Sequence, residues 1–596
     1  MTAETALEVL FLKKLIYVAV VFAAILSLLT CCASPAAENT REDDSGHVSD
    51  GHRSSERLIS LSDSGVSLDG ETVGDDGSNA VYISRDIVYY EDKAEYDSGN
   101  PYGEGGENER HTAEEAAENT VVNITEAGTY RVSGTLSKGQ ILIDLGESAP
   151  TDKSAVVNLV LDGASVSCSV APAIVFKSVY ECCENLSPES AVSEVDTSAA
   201  GAVITIAPDS VNAVNGSHVA KIYKDTDGQK KLVKQDGAIY SYMSMNIEGG
   251  ETGTLNITAD NEGLDTEMHL TINGGNINIM SNDDGINTNE DGVSVTTING
   301  GRLHIIAGLG TEGDGIDSNG WLVINGGIVI SSANPAADAG LDSDLGSYIN
   351  GGTVIALGSA MDRAESESGQ VTMNLQFAEY NDPGDAIVVT NENGEVIFAY
   401  DPSEDELLGV NARRYMGAIV SCPRFEVGAT CGVYIGGTLD GEHIFGVYAD
   451  AVSYSGGARQ IYTGTDVRGF GRVFVEKGDV RPEWELPEGF EGELPEPQDG
   501  FEVGRPNFME LPPPENPDGF GMEPPENPDG FGMEPPEKPD GFSAASPDQK
   551  PPEDGESPAP PDGAPPEGRS EMPAGEPSTE FYIQDKVNFF SGVADA

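Results

Sequence analysis

Residues Gly313–Ile330 read GDGIDSNGWLVINGGIVI. Acidic residues stand beside glycines, an apolar run ends in Asn-Gly-Gly, and a second apolar run begins. The same order returns along the chain. Glu248-Gly249-Gly250 is followed by Asn-Gly-Gly beginning at Asn273, Asn299, Asn325 and Asn350, at intervals of 25, 26, 26 and 25 residues. An isoleucine precedes each of them: Ile247, Ile272, Ile298, Ile324 and Ile349. Four residues after each corner Asn come Ile277, Leu303, Val329 and Val354. Short strands with Gly/Asn corners at this period predict an all-β solenoid, a parallel β-helix, and not a helical repeat. One turn of chain cannot bury its inward face alone. Stacked turns set like residues over like, about 4.8 Å apart. Each buried aliphatic then contributes on the order of 1.5–3 kcal/mol. The Asn-Gly-Gly motif reads as scaffold, because glycine tolerates left-handed backbone angles and stacked Asn amides hydrogen-bond along a column.

The acidic segment has its own register. GLDTE (263–267), GINTN (285–289), GIDSN (315–319) and GLDSD (340–344) repeat a Gly-apolar pair and a polar alternation, with DGAIYS (236–241) as an earlier relative. Alternate strand residues face opposite ways. With Leu264, Ile286, Ile316 and Leu341 inward, Asp265, Asn287, Asp317 and Asp342 are expected outward. Two positions on, Glu267, Asn289, Asn319 and Asp344 follow them. Asp236, Glu262, Asp284 and Asp314 precede the glycines, and Asp338 falls one place earlier in the last turn. Carboxylates stacked about 5 Å apart repel by about 1 kcal/mol per pair in water and several-fold more where solvent is thin. Arg302 is the only Lys or Arg between residues 241 and 360. These three columns are therefore expected to hold calcium, which accepts mixed carboxylate, Asn and carbonyl oxygens. A solvated acidic face is the competing reading.

The whole chain carries 32 basic and 101 acidic residues in 596, a formal charge of −69. Such a surface is a poor nucleic-acid partner, since phosphate binding rests on Lys and Arg. Lys13 and Lys14 precede the apolar run Leu15–Leu29, which ends at Thr30-Cys31-Cys32. That is a secretory signal, too short for a comfortable membrane span. A cysteine at its end resembles a lipoprotein signal, so Cys31 and Cys32 are the candidate lipidation sites. A protein anchored on the outer face of a bacterial membrane, or secreted, is expected; Thr30 or Cys31 stands where Gly, Ala or Ser is usual. Cys168, the neighbours Cys182 and Cys183, Cys422 and Cys431 make no zinc pattern. Cys422 and Cys431 are close enough in sequence to close a small loop, or to remain buried thiols.

The chain divides by composition into a signal or anchor (1–32), a Ser/Asp/Gly-rich tether expected to be disordered (33–75), the β-helix (76–375) and a C-terminal β part (376–480). A Pro/Glu/Gly-rich segment follows (481–580). It repeats an 11-residue unit marked by Asp518, Asp529 and Asp540. The apolar end, 581–596, is expected to dock back on the folded body.

DGAIYS, GLDTEMHLTINGG, GDGIDSNGWLVINGG and GLDSDLGSYINGGTVIALG resemble the bacterial carbohydrate-binding domain-containing family. ITEAGTYRVSGTLSKGQILID upstream and IVSCPRFEVGATCGVYIGG and FYIQDKVNFFSGV downstream extend the resemblance. It implies a right-handed, pectate-lyase-like β-helix, calcium between turns on Asp265, Asp317 and Asp342, and polysaccharide binding without established catalysis. Asn287 replaces Asp in its turn, which implies a weaker cation position there. Fold alone does not decide between binder and enzyme. Arg302 is the one basic candidate for a lyase, and it is expected on an ordinary outward surface. Asn282-Asp283-Asp284-Gly285 resembles a polygalacturonase motif whose other signatures are missing. A monomeric, non-catalytic binder of cellulose-like or acidic plant polysaccharide is expected, with Trp321 and Tyr348 as candidate sugar-facing aromatics, although packing against a loop is preferred for Trp321. A calcium-stiffened surface spacer or adhesin is the alternative.

Overall fold

Five isoleucines of the repeat, Ile247, Ile272, Ile298, Ile324 and Ile349, are all buried, and consecutive ones pair in parallel register. They belong to the strands Met245–Gly249, Leu270–Ile272, Val295–Ile298, Trp321–Ile324 and Gly346–Ile349. The column runs further back than the Asn-Gly-Gly motif does. Ile204 pairs with Ile247, and Leu159 with Ile204. We call this the spine ladder. The structure is a computed structural model that describes residues 56–87, 113–183, 186–219, 222–223, 231–233, 235–359, 362–405, 407–408, 413–448, 452–465 and 577–596. The described residues are nearly all β, with one short α-helix, Ala113–Ala117.

Two further parallel ladders accompany the spine. The second joins Val211–Gly216, Thr254–Ala259, Asn276–Ser281, Arg302–Ile306, Ile328–Ser332 and Thr353–Gly358. It stacks Leu255, Ile277, Leu303, Val329 and Val354. Asn212 enters that buried column one turn earlier, satisfied by donating to Thr254 O at 3.1 Å and accepting from Ala164 N at 3.0 Å. The third, the acid ladder, joins Gly139–Asp144, Ile174–Ser178, Gly237–Ser241, Glu262–Thr266, Ile286–Thr288 and Ile316–Ser318. Ile174, Ile239, Leu264, Ile286 and Ile316 are its inward column, all buried.

The corners explain the constant motif. The amide of Asn273 donates to Glu248 at 2.7 Å, Asn299 to Asn273 at 2.8 Å, Asn325 to Asn299 and Asn350 to Asn325 at 2.9 Å. Beside them Gly275, Gly301, Gly327 and Gly352 take φ of +96°, +84°, +86° and +88°. A Cβ on Gly301 would meet Gly275 O at 2.5 Å. Both the left-handed backbone and the close approach of the next turn exclude a side chain there.

Antiparallel strands close both ends. Val81–Ser84 pairs antiparallel with Thr120–Ile124 at the start of the acid ladder. Tyr415–Ser421 pairs antiparallel with Thr353–Gly358 and with Thr372–Asn381, against which Val587–Asp595 lies parallel. This C-terminal group buries Ile306, Ile330 and Ile355, outward residues of the second ladder. It also clamps the ladder through polar contacts. Asp405 accepts from His304 Nε2 at 2.8 Å, from Tyr400 Oη at 3.2 Å, and from the backbone N–H of Leu407 and Leu408.

Two expectations need correction. The proposed tether 33–75 contains ordered strands, Arg57–Leu61, Ser67–Leu68 and Glu71–Thr72. Arg57–Leu61 pairs parallel with Gly128–Leu136, because Ile59 and Leu61 alternate inward and are buried although their neighbours are polar. Arg302 is not ordinary surface: its guanidinium stands 5.7 Å over the Phe445 ring of the C-terminal group. Of the two readings open for Cys422 and Cys431, the structure has the second: both are buried free thiols. The calls for lipidation at Cys31 and Cys32 and for the Pro-rich segment 481–576 lie outside the described residues.

In urea unfolding, Ile298→Ala is expected to cost about 2–5 kcal/mol, as a cavity in a packed column does. Thr297→Ala, half-buried on the opposite face, is expected to cost under about 1 kcal/mol. Equal costs would show that the aliphatic column is not what holds the turns together.

Candidate metal centre on the acid ladder

The acid ladder brings carboxylates from successive turns together because its inward column fixes the register. Leu264 pairs with Ile286 and Ile286 with Ile316, so Asp265, Asn287 and Asp317 stack in one column. Asp342 continues it, its backbone N–H donating to Ile316 O at 2.8 Å. Below Asp265 the same position is Tyr240. This fully buried ring closes the bottom of the column, and its hydroxyl donates to Glu267.

The acids are not displayed to solvent, contrary to the picture of outward columns on an open edge. Asp236 and Glu262 are 3 % exposed and Asp265 is 0 %. Asp314, Asp338 and Asp342 are buried, while Glu267, Asp284, Asp317, Asn319 and Asp344 are half-buried. Neighbouring turns and loops cover the column as well as build it. One register detail also differs. Gly237, not Asp236, pairs with Glu262, since DGAIYS has one more residue between its glycine and its isoleucine column than GLDTE has. Asp236 still reaches the group: its carboxylate, that of Glu262 and that of Asp265 each place an oxygen within 4.8 Å of the others.

Two clusters result. In the lower one, Asn287 Nδ2 donates to Glu262 at 3.0 Å and Asn289 Nδ2 to Asp265 Oδ1 at 2.7 Å. Asp265 Oδ2 and Asn287 Oδ1 are buried and receive no hydrogen bond. Burial, then the charges of Glu262 and Asp236, hold the Asp265 carboxyl well above its ordinary 3.8. The upper cluster gathers Asp284, Asp314, Asp317, Asp338 and Asp342. Asp284 accepts from Asp314 N, and Asp314 from Ala339 N, both at 2.6 Å, and Asp338 accepts from Gly313 N at 2.9 Å. Burial first, then Asp317 and Asp314, raise Asp284 well above 3.8; burial, then Asp342 and Asp317, do the same to Asp314. Asn319 donates to Asn289 O at 2.9 Å, and Asp344 N to Ser318 O.

The donor set is all oxygen, and two of its buried acceptors receive no hydrogen bond. That chemistry fits a hard divalent cation, which draws on carboxylates and amide carbonyls with tolerant geometry. The absence of a sequence-adjacent counter-charge is only partly relieved by the fold. Arg413, from the C-terminal group, donates to Gly308 O at 2.8 Å and Ser332 O at 2.9 Å, and interacts favourably with Asp338. The repeat pattern gave no sign of Arg413. Tyr240 was legible, had DGAIYS been aligned on Ile239 instead of on its glycine.

The two candidate sugar-facing aromatics are elsewhere. Trp321 is 8 % exposed. It packs with Val293 and with Val295 and Val323 of the spine ladder under Ala191, with Val195 and Tyr348 at the margin. It is a core residue beneath a crossing segment, the packing role preferred for it. Tyr348 is half-buried in the same cluster.

Residues 118–379 match the profile of a family described as carbohydrate-binding domain-containing protein. A protein of that description from Acetivibrio thermocellus is 30 % identical over 161 residues, which are 27 % of this chain and 45 % of the relative. The chain thus spans less than half the length of that relative. The solved structure of a polysaccharide lyase-like protein from C. thermocellum, a gadolinium derivative, aligns at 21 % identity and a TM-score of 0.29, covering 50 % of this chain and 92 % of that one. The likeness to the carbohydrate-binding domain-containing proteins is thus a likeness of residues 118–379, the segment that holds the acid ladder from Gly139 onward.

Proposed function

We propose that the chain is an extracytoplasmic, surface-attached protein that binds plant-type polysaccharide, cellulose-like or acidic and pectin-like, with calcium as a structural partner and without cleaving the chain. The observation that carries this reading is the buried stack of oxygen donors drawn from successive turns. Asp236, Glu262 and Asp265 would hold one ion, with Asn287 at its edge. Asp284, Asp314, Asp317, Asp338 and Asp342 would hold the upper one. Calcium there would supply the positive charge that the repeat lacks. In this reading the three ladders are the sides of a right-handed parallel β-helix. The half-buried Glu267, Asn289, Asn319 and Asp344 form the rim on which sugar oxygens or a uronate share the field of the ion. The family description supports carbohydrate as the ligand. Attachment to the membrane through Cys31 or Cys32, and a monomeric state, complete the proposal.

A non-catalytic role is supported by the family description, which names binding and no reaction. A second reading is favoured by the burial of the acids: the cations stiffen a surface spacer and touch no glycan. Pull-down on insoluble cellulose and on polygalacturonate, with and without chelator, separates the two. Retention that a chelator abolishes is expected. Retention on neither polymer would leave only the spacer, and release of unsaturated or reducing sugar would replace the binder by an enzyme.

The sign of the pH response tests the cation independently. Native values of Asp265, Asp284 and Asp314 are raised, so the native state binds more protons than the unfolded chain above pH 3.8. The stability these groups lend is fully present below that value and is lost as pH rises through their raised native values. In chelator, the melting temperature is therefore expected to fall from pH 5 to pH 8. With calcium present the fall is expected to vanish, since a cation takes the place of the protons. Asp265→Asn and Asp314→Asn are each expected to raise the melting temperature in chelator and to shrink the increment that calcium gives. A chelated protein more stable at pH 8 than at pH 5 would count against the site.

Trp321→Ala is expected to cost about 3–5 kcal/mol of stability, as removal of a buried aromatic does, while polysaccharide affinity of the folded fraction stays within twofold. Loss of affinity at unchanged stability would restore Trp321 as a sugar contact.

A further inference from the structure

The segment that covers Trp321 begins at a second group of metal-ligating side chains, far in sequence from the acid ladder. Cys182 and Cys183 are neighbours whose sulfurs lie 3.3 Å apart. Glu181 completes a trio with one ligand atom each within 4.8 Å of the others. The trio is tied to the spine ladder. Glu181 accepts from Cys183 N at 2.9 Å, from Ser244 N at 2.7 Å and from Ser244 Oγ at 2.9 Å. Ser244 Oγ is also 4.0 Å from Cys183 Sγ. Further on, Asn246 donates to Thr197 O and Thr197 Oγ1 to Thr271 Oγ1, both at 2.7 Å, so the segment lies across the outward face of these strands.

The next turn places a histidine over Ser244. Met245 pairs with Leu270, which sets Ser244 opposite His269, and His269 N donates to Ser244 Oγ at 3.4 Å. That register and the bond from its own backbone N–H set His269 beside the hydroxyl that touches Glu181 and Cys183. His269 is 1 % exposed, and neither ring nitrogen has a hydrogen-bond partner. A buried polar group left unmade costs about 1–3 kcal/mol. The sequence alone gave no hint of this, since Cys182-Cys183 and His269 match no zinc spacing.

We propose that Cys182, Cys183 and His269 form a soft-cation site, separate from the acid ladder, that takes a thiophilic divalent ion of the zinc class. Two thiolates and a neutral imidazole are ligands such ions select over oxygen. The imidazole ring stands outside the 4.8 Å trio, so coordination requires it to turn toward the sulfurs. Glu181 holds the Cys183 backbone and orients the thiol. Binding releases the two thiol protons to solvent and forms two metal–sulfur bonds and one metal–nitrogen bond, with no change of oxidation state.

The test titrates the full chain, reduced and freed of metal by chelator, with cobalt(II) alone. An intense thiolate-to-cobalt charge-transfer absorption at one ion per chain is expected, displaced by zinc. Cys182→Ser and Cys183→Ser are each expected to abolish it, and His269→Gln to weaken the affinity tenfold or more with an unchanged circular dichroism spectrum. Should a serine variant fail to fold, alkylation of the wild-type chain serves instead. Zinc is then expected to protect Cys182 and Cys183, mapped by mass spectrometry. The proposal is overturned by an absent charge-transfer band, by a band that survives loss of Cys182 and Cys183, or by unaltered affinity in His269→Gln. It is equally overturned if zinc protects neither Cys182 nor Cys183 from alkylation.

Discussion

Register between successive turns is the constraint on which the rest depends. A one-residue slip in a strand would carry its whole inward set to the other face. The cost would fall on Ile272, Ile298 and Ile324 in the spine, on Ile277, Leu303 and Val329 in the second ladder, and on Leu264, Ile286 and Ile316 in the third, all buried. Three aliphatic columns thus lock each turn at once. What stands on the other side of each strand has to accept the neighbours that this locking gives it. Asn over Asn is favourable, because an amide donates upward and accepts from below. Asp over Asp is not. The carboxylates of Asp265, Asp284 and Asp314 are held together by a packing force that has nothing to do with charge, and their raised proton affinities are the electrostatic record of it.

The periodic part of this was readable from the chain. Ile-Asn-Gly-Gly at a fixed interval carries its own geometry, since the glycine column has positive φ and the asparagine column has hydrogen bonds along its length. The stacking of Asp265, Asn287 and Asp317 followed from the same count. Burial did not. Alternation tells which residues face away from the interior, and it is silent about what else lies on that face. Trp321 points away from the interior and is nonetheless core, because the residues around Ala191 fold across it. Arg302 was outward by the same logic, and it and His304 are covered by Phe445 and Asp405, more than a hundred residues away. Long-range cover leaves no periodic mark in a sequence.

That cover also answers a problem inherent in stacked parallel strands. The last strand of each ladder presents unpaired backbone groups and a bare inward face, a template for association with other chains. Here Thr353–Gly358 meets an antiparallel strand, Tyr415–Ser421, whose sequence repeats nothing from the turns before it. Thr372–Asn381 and the terminal strand Val587–Asp595 extend the same sheet. The reversal of direction matters physically. A parallel partner would be one more turn and would leave the same open edge, whereas an antiparallel one with a different side-chain pattern ends the series.

The closure has an electrostatic side as well. Arg413 lies just before the closing strand and reaches back to Gly308 O and Ser332 O, near Asp338 in the final turn. At the opposite end of the acid column Tyr240 presents a neutral hydroxyl to Glu267. The column is bounded by a phenol below and a guanidinium above, and between them the acids face each other. A chain selected only for stability would be expected to break such a run with Asn or Ser, as Asn287 does in a single turn. Keeping Asp265, Asp284, Asp314, Asp317, Asp338 and Asp342 concentrates negative charge among buried and half-buried groups, where the proposed divalent ion would be attracted more strongly than at an exposed site. The turns supply the rigidity and the acids the charge. Neither alone would hold an ion, because flexible carboxylates lose ordering entropy on binding and a rigid neutral column has nothing to bind with.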